Sequence, residues 1–171
     1  MKPKIVKKEA VKLAGFVIKT TTKDGKNAKA IPMFWQEYLN DGRCEKLHKE
    51  LFVKSHAEYG ACFPENSENG DMKYVIGVEV KEGITIPEEY HICTLPEAEY
   101  AVFSTPPANE ANFVSSIQDT WSYIYAEWLP NSEYEFDTSS IDFELYDERC
   151  MNETGKVIDI YIPVLKKQGI K

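Results

Sequence analysis

Apolar and polar residues follow two different periods in the first half of the chain, the period of two that is typical of strands and the 3.6-residue period of helices. Segment 11–21 is rich in β-branched residues and predicts a strand, in which Gly15 suggests a bulge. Segment 30–42 predicts an amphipathic helix. Its helical face carries Ile31, Phe34, Trp35, Tyr38 and Leu39. A weaker helix over 45–52 and strands at 59–63 and 72–80 complete the order β-α-β-β.

The second half shows the same succession of periods. A strand is predicted within 96–105, and two strand-like runs at 141–147 and 157–164 close the chain. Between them a helical stripe with steps of three and four residues runs into the break at Pro130. This stripe consists of Val114, Ile117, Trp121, Ile124 and Trp128.

The two successions predict an α+β fold made of two β-α-β-β units, with antiparallel pairing inside each unit. We expect a single domain over residues 1–171, with pseudo-repeats at about 11–80 and 96–164. A hydrophobic content of 43% is typical of globular proteins. The sequence has neither a run long enough for a membrane span nor the apolar core of a signal peptide, so a cytoplasmic protein is predicted.

Charge is distributed unevenly along a chain whose net charge is −8. Residues 1–30 carry nine lysines and only two acids, whereas 82–148 contains fifteen Asp and Glu and neither Lys nor Arg. Nucleic acids are bound through clustered Lys and Arg, so the sequence argues against a nucleic-acid partner for the second half. The acidic bias favours a surface or cavity that suits cations.

Strand alternation indicates where such a cavity could lie. In 157–164 the isoleucines form one face, which is expected to pack under a helix. If the apolar faces of both closing strands cover the same helical layer, then four polar or aromatic residues share the opposite face. These residues are Glu144, Tyr146, Asp159 and Tyr161. Carboxylates beside aromatic rings suit an organic cation, although an antiparallel sheet can also carry such residues on a face that simply meets water.

Several motifs together resemble the GyrI-like family of small-molecule-binding domains, which is related to the effector-binding domains of multidrug-responsive transcription activators and to gyrase-inhibitory proteins. The motifs are, in chain order, YAVF at 100–103, W-x6-W-L-P-x-S-x-Y-E at 121–135, F-E-x-Y at 143–146 and I-x-I-P-V at 160–164. The similarity extends from about Val11 to Val164.

The resemblance implies two β-α-β-β units related by a pseudo-twofold axis, with a central ligand cleft between them. It also implies that the glutamate of the F-E-x-Y strand, Glu144 here, pairs with cationic ligands, and that Asp159 and Tyr161 hold the second acidic and the tyrosine position. Since 82–148 lacks Lys and Arg, the counter-charge of Glu144 would come from the first half or from the ligand. Further lining residues implied by the family are Tyr100, Phe103, Tyr146, Trp121 and Trp128.

The function expected from this resemblance is that of a stand-alone effector-binding domain for a lipophilic or aromatic cation, without cofactor, metal, membrane or nucleic acid. Two alternatives stay open. The same cleft could hydrolyse reactive, cyclopropane-type molecules with Glu144 activating water and Tyr146 as a hydrogen-bond donor. A third reading is a gyrase-inhibitor-like interaction with a protein partner. The histidines lack a metal-binding spacing such as H-E-x-x-H, and the four cysteines lack a C-x-x-C pair.

Overall fold

A computed structural model describes residues 1–66 and 68–168 of the chain. The chain folds as two units, one formed by Val11–Leu95 and the other by Met1–Ala10 together with Pro96–Lys171. We call them the first and the second unit. Each contains antiparallel strands and at least one α-helix, which confirms the α+β class.

The elements follow the predicted β-α-β-β order in both units, with additional short strands. In chain order they are β1 (Lys4–Lys8), β2 (Val11–Thr21), α1 (Lys26–Asn40), α2 (Arg43–His48), β3 (Val53–Asn66), β4 (Asp71–Val80), β5 (His91–Leu95), β6 (Ala98–Ser104), β7 (Ala108–Asn109), α3 (Phe113–Tyr123), a π-helical segment (Ile124–Trp128), α4 (Leu129–Asn131), β8 (Tyr134–Phe136), β9 (Phe143–Tyr146), β10 (Thr154–Lys156) and β11 (Asp159–Lys166).

In the first unit, β3, β4, β2 and β5 pair antiparallel in that order. Alternate residues of β4 point to the same side of the sheet, and Ile76 and Val78 are completely buried there against α1. Phe34 and Tyr38 of α1 pack into this layer. The predicted helical stripe is therefore the face of α1 that makes the core, apart from Leu39, which is exposed.

In the second unit, β1, β6, β11 and β9 pair antiparallel in that order, and β8 pairs with the far end of β11. Ile160, Ile162 and Val164 alternate along β11 and are completely buried. They form one apolar layer with Ile117 of α3 and with Ile124, which starts the π-helical segment. This confirms that the isoleucine face of the last strand packs under a helix.

The lysine-rich N-terminal segment forms the strand β1 at the edge of the second unit, where it pairs with β6. Lys7 there makes an ion pair with Glu97 at 2.8 Å. Hydrophobic alternation could not predict this strand, because it is short and mostly exposed.

Gly15 does not form a bulge, since the pairing of β2 with β4 runs without a break from Leu13 to Thr21. Its role is steric. Gly15 lies opposite Gly77, and a Cβ atom on Gly15 would lie 2.0 Å from the carbonyl oxygen of Ile76. The two backbones therefore approach more closely than a side chain allows.

We expect Gly15→Ala to lower the free energy of unfolding by about 3 kcal/mol, because a backbone atom cannot move aside as a side-chain tip can. Gly83→Ala is the control. That position has φ +72° but nothing within 4 Å of the added carbon, so only the conformational cost of about 1 kcal/mol applies. Urea unfolding of both variants measures the difference, and equal losses would contradict the steric explanation.

Candidate functional site in the second unit

The carboxylate of Glu144 lies inside the second unit, on β9, and only 5% of the residue is exposed. Its Oε1 accepts a hydrogen bond from Trp121 Nε1 of α3 at 2.7 Å, and its Oε2 accepts one from the hydroxyl of Tyr146 at 2.9 Å. A buried carboxylate is costly unless hydrogen bonds satisfy its oxygens. Both of these donors are neutral groups, an indole and a phenol.

The pairing register explains why Glu144 meets a helix. Glu144 lies directly opposite Ile160 in the ladder between β9 and β11, and directly opposite residues share one face of a sheet. Because the Ile160 face is covered by α3, Glu144 points into the same layer. The prediction that Glu144 shares a face with Asp159 and Tyr161 is therefore wrong. An error of one residue in the assumed register moves a side chain to the opposite face.

Tyr161 belongs to an aromatic group on the other face of β9 and β11. It lies opposite Phe143 in the ladder, and the two rings stack with their centroids 4.5 Å apart. The ring of Tyr100 contacts both of them, at 5.3 Å from Phe143 and 5.8 Å from Tyr161. Burial raises the pKa of both tyrosine hydroxyls.

Asp159, the expected second acid of the site, is engaged elsewhere. Arg149 Nη2 lies 2.7 Å from Asp159 Oδ2, and the hydroxyl of Ser104 donates to Oδ1 at 2.6 Å. The same guanidinium binds Asp147 and holds the pKa of that carboxyl below its usual range. Arg149 thus compensates two carboxylates, and the structure separates Asp159 from Glu144.

Aromatic rings surround the helix-facing layer that contains Glu144. Trp121 stacks on Tyr125 with a centroid distance of 6.0 Å and an interplanar angle of 7°, and Tyr125 lies 6.3 Å from Phe136. Sequence reasoning missed Tyr125 and Phe136. The signal for Tyr125 was present, because residues four apart on a helix lie on the same face, and Tyr125 follows Trp121 by four.

Two of the predicted lining residues, Phe103 and Trp128, lie in this layer but contact each other. Their ring centroids are 5.0 Å apart in an edge-to-face arrangement, and Trp128 also stacks on Tyr134 at 6.1 Å. The predicted stripe assumed a regular α-helix, whereas the segment from Ile124 to Trp128 is π-helical. Such insertions widen a helical turn by one residue and occur frequently at functional sites.

A surface depression of about 260 Å³ also lies at the start of α3, among the described residues. Its lining holds no aromatic ring, so it lacks the ring faces that bind organic cations. Lining residues include Pro106, Asn112, Ser116 and Asp119. The buried carboxylate and its aromatic neighbours are the better candidate for the functional site.

Among the described residues, no helix is both long and apolar enough to cross a membrane. Solved structures of other proteins match this fold. The protein SAV2435, in a structure with tetraphenylphosphonium bound, matches with a TM-score of 0.73 and 22% identity over 96% of this chain and 94% of its own. An integron cassette protein of Vibrio cholerae matches with a TM-score of 0.62 and 19% identity over 96% of both chains.

The chain belongs to the Cass2 family of integron-associated effector binding proteins, whose family model matches residues 4–164. This confirms the resemblance read from the motifs. The transcriptional regulator BrlR of Pseudomonas aeruginosa is 32% identical over 108 residues, which are 62% of this chain and 37% of BrlR. The chain therefore corresponds to little more than a third of that regulator.

If Tyr146 stabilises the buried carboxylate, Tyr146→Phe removes one of its donors and lowers the free energy of unfolding by about 2 kcal/mol, the usual contribution of a hydrogen bond to a charged group. Tyr134→Phe is the matched control, because the hydrogen bonds that the described structure gives Tyr134 run through its backbone. Its expected loss is below about 0.5 kcal/mol. Thermal and urea unfolding measure both values, and a Tyr146→Phe variant as stable as the control would contradict this role.

Proposed function

We propose that this protein binds a lipophilic aromatic cation inside the second unit, with Glu144 as the charged anchor and Trp121, Tyr125 and Tyr146 as the aromatic contacts. The observation that carries the proposal is the buried carboxylate held by two neutral donors within an aromatic layer. A core that needed only apolar packing could hold apolar side chains in place of Glu144 and both of its donors without losing stability. The glutamate is therefore better explained by a ligand than by folding.

Two interactions would stabilise a cation bound at this position. At about 5 Å from the carboxylate and an effective dielectric constant of about 20, the Coulomb attraction is roughly 3 kcal/mol. Contact with the faces of indole and phenol rings adds roughly 0.5 to 2 kcal/mol. Together these terms distinguish a cation from a neutral molecule of the same shape by at least a factor of ten in affinity.

Because the carboxylate of Glu144 already accepts hydrogen bonds from Trp121 and Tyr146, it favours a cation that does not itself donate hydrogen bonds. In tetraphenylphosphonium the charge lies inside four phenyl groups, so the ion can pair with the carboxylate while Trp121 and Tyr146 keep donating to it. The related protein SAV2435 has been solved with this ion bound. An aliphatic ammonium, in contrast, would have to compete with Trp121 and Tyr146 for the carboxylate oxygens.

Entry requires an aromatic side chain to move, because Glu144 is almost completely buried. Tyr125 is the outermost ring over Trp121, at 41% exposure, and its hydroxyl donates to Asp142 at 2.8 Å. We take Tyr125 as the ring that the ligand displaces. Rotation of this partly exposed tyrosine costs a hydrogen bond to a carboxylate, about 2 kcal/mol, which the contacts of the ligand exceed.

Glu144→Gln keeps the shape of the side chain and removes its charge. We expect it to weaken tetraphenylphosphonium binding at least tenfold, measured by isothermal titration calorimetry on the full chain. Glu135→Gln is the control, because Glu135 is an exposed residue of β8 in the same unit and its replacement changes the net charge by the same amount.

Triphenylphosphine oxide, a neutral molecule with three of the same rings, separates charge from shape. Its affinity is expected to be equal in the wild type and in Glu144→Gln. The proposal fails if Glu144→Gln and Glu135→Gln bind the cation equally well, or if the wild type does not prefer the cation to the neutral oxide.

A further inference from the structure

Three side chains of the kinds that ligate transition metals meet in the first unit. Cys44 and His48 lie on α2, and Glu58 lies on β3. His48 Nε2 is 2.8 Å from Glu58 Oε1, and Cys44 Sγ is 3.6 Å from the same oxygen. One ligand atom from each residue lies within 4.8 Å of the other two.

The local fold brings these three side chains together. Cys44 and His48 are four residues apart on α2 and therefore lie on one helix face. Glu58 is paired with Val78, which is completely buried in the layer under α1, so Glu58 points to the helix side of the sheet. The hydroxyl of Tyr38 in α1 donates to Glu58 Oε1 at 2.5 Å and holds the carboxylate in this position.

The distances fit a tetrahedral ion. Zinc binds thiolate sulfur at about 2.3 Å and imidazole nitrogen or carboxylate oxygen at about 2.0 Å, which separates neighbouring ligand atoms by roughly 3.3 to 3.6 Å. The observed separations of 2.8 Å and 3.6 Å are within small side-chain adjustments of those values. A set with one sulfur, one nitrogen and one oxygen suits zinc and its neighbours in the transition series, and not magnesium or calcium.

The residues behind the ligands support the same assignment. His48 Nδ1 lies 2.9 Å from His56 Nδ1, so His56 can accept a hydrogen bond from His48 while Nε2 faces the ion. Partners of this kind orient ligating histidines in metal sites. The side chains of His48 and Glu58 are 21% and 14% exposed, which leaves an approach for an ion from solvent.

A reactive thiol is the other chemistry that a Cys-His-Glu set can serve, but the surroundings oppose it. Glu58 lies beside the sulfur rather than beyond the histidine, where it would orient a general base.

We propose that Cys44, His48 and Glu58 form a site for Zn²⁺ or a chemically similar divalent ion, with a fourth coordination position for water or a small ligand. Coordination replaces the thiol proton of Cys44, which leaves to solvent. The ion would connect α2 to β3 across the helix side of the sheet. This site lies in the first unit and is independent of the proposed cation-binding site.

The test is a titration of the full chain with Co²⁺, after a chelator has removed any bound metal. Co²⁺ substitutes for zinc and absorbs visible light. We expect one Co²⁺ per chain, an absorption band from thiolate-to-metal charge transfer, and displacement of that ion by Zn²⁺. Cys44→Ser should abolish the charge-transfer band, and His48→Gln and Glu58→Gln should each weaken Zn²⁺ binding at least tenfold in calorimetry.

Cys93→Ser and His91→Gln are the matched controls, because both residues lie on β5 of the same unit and outside the cluster. They should leave the spectrum and the affinity unchanged. Zn²⁺ should also raise the unfolding temperature of the wild type and of both controls but not of Cys44→Ser, and circular dichroism establishes that each variant is folded. Wild-type protein without a thiolate band, or a Cys44→Ser variant that binds Zn²⁺ as tightly as Cys93→Ser, would overturn the proposal.

Discussion

The register between β9 and β11 is the constraint on which the candidate site depends. It places Glu144 opposite Ile160 and thereby directs a carboxylate into the apolar layer under α3. A carboxylate in such a layer costs several kcal/mol unless its oxygens are hydrogen-bonded. The donors come from Trp121 on the helix and from Tyr146 on the same strand. The placement of this one carboxylate therefore depends on sheet pairing, on the position of the helix and on aromatic packing.

Hydrophobic periodicity predicted most of the fold, because α1, β4, β6 and β11 each pack at least one apolar face into a core, and its period shows in the sequence. The short strands at sheet edges carry no such signal.

The site was predicted in part. Glu144 and Trp121 were both predicted to line the site and are hydrogen-bonded to each other, whereas Glu144 and Tyr146 were assigned to the face opposite the helix, together with Asp159 and Tyr161. Alternation shows which residues of one strand share a face, but only the ladder shows which residues of two strands do.

Each unit places a glutamate under its helices, buried at Glu144 and partly buried at Glu58, and satisfies it differently. Glu144 accepts hydrogen bonds from the indole of Trp121 and the hydroxyl of Tyr146, and its surroundings are aromatic. Glu58 receives the hydroxyl of Tyr38 and lies against the imidazole of His48 and the thiol of Cys44. The neighbours therefore decide what each carboxylate can bind: soft aromatic faces favour an organic cation, and sulfur with nitrogen favours a transition-metal ion. The cluster of the first unit was not predicted, because Glu58 reaches α2 only through the tertiary fold.

The most direct measurement is a crystal structure of the protein with tetraphenylphosphonium bound, since it shows which face of the sheet holds the ligand. The account predicts the phosphorus atom at about 6 Å from the Glu144 carboxylate, with a phenyl group against Trp121 and Tyr125 displaced from its stacked position. An ion bound instead beside Tyr100 and Tyr161, on the opposite face of β9 and β11, would contradict it.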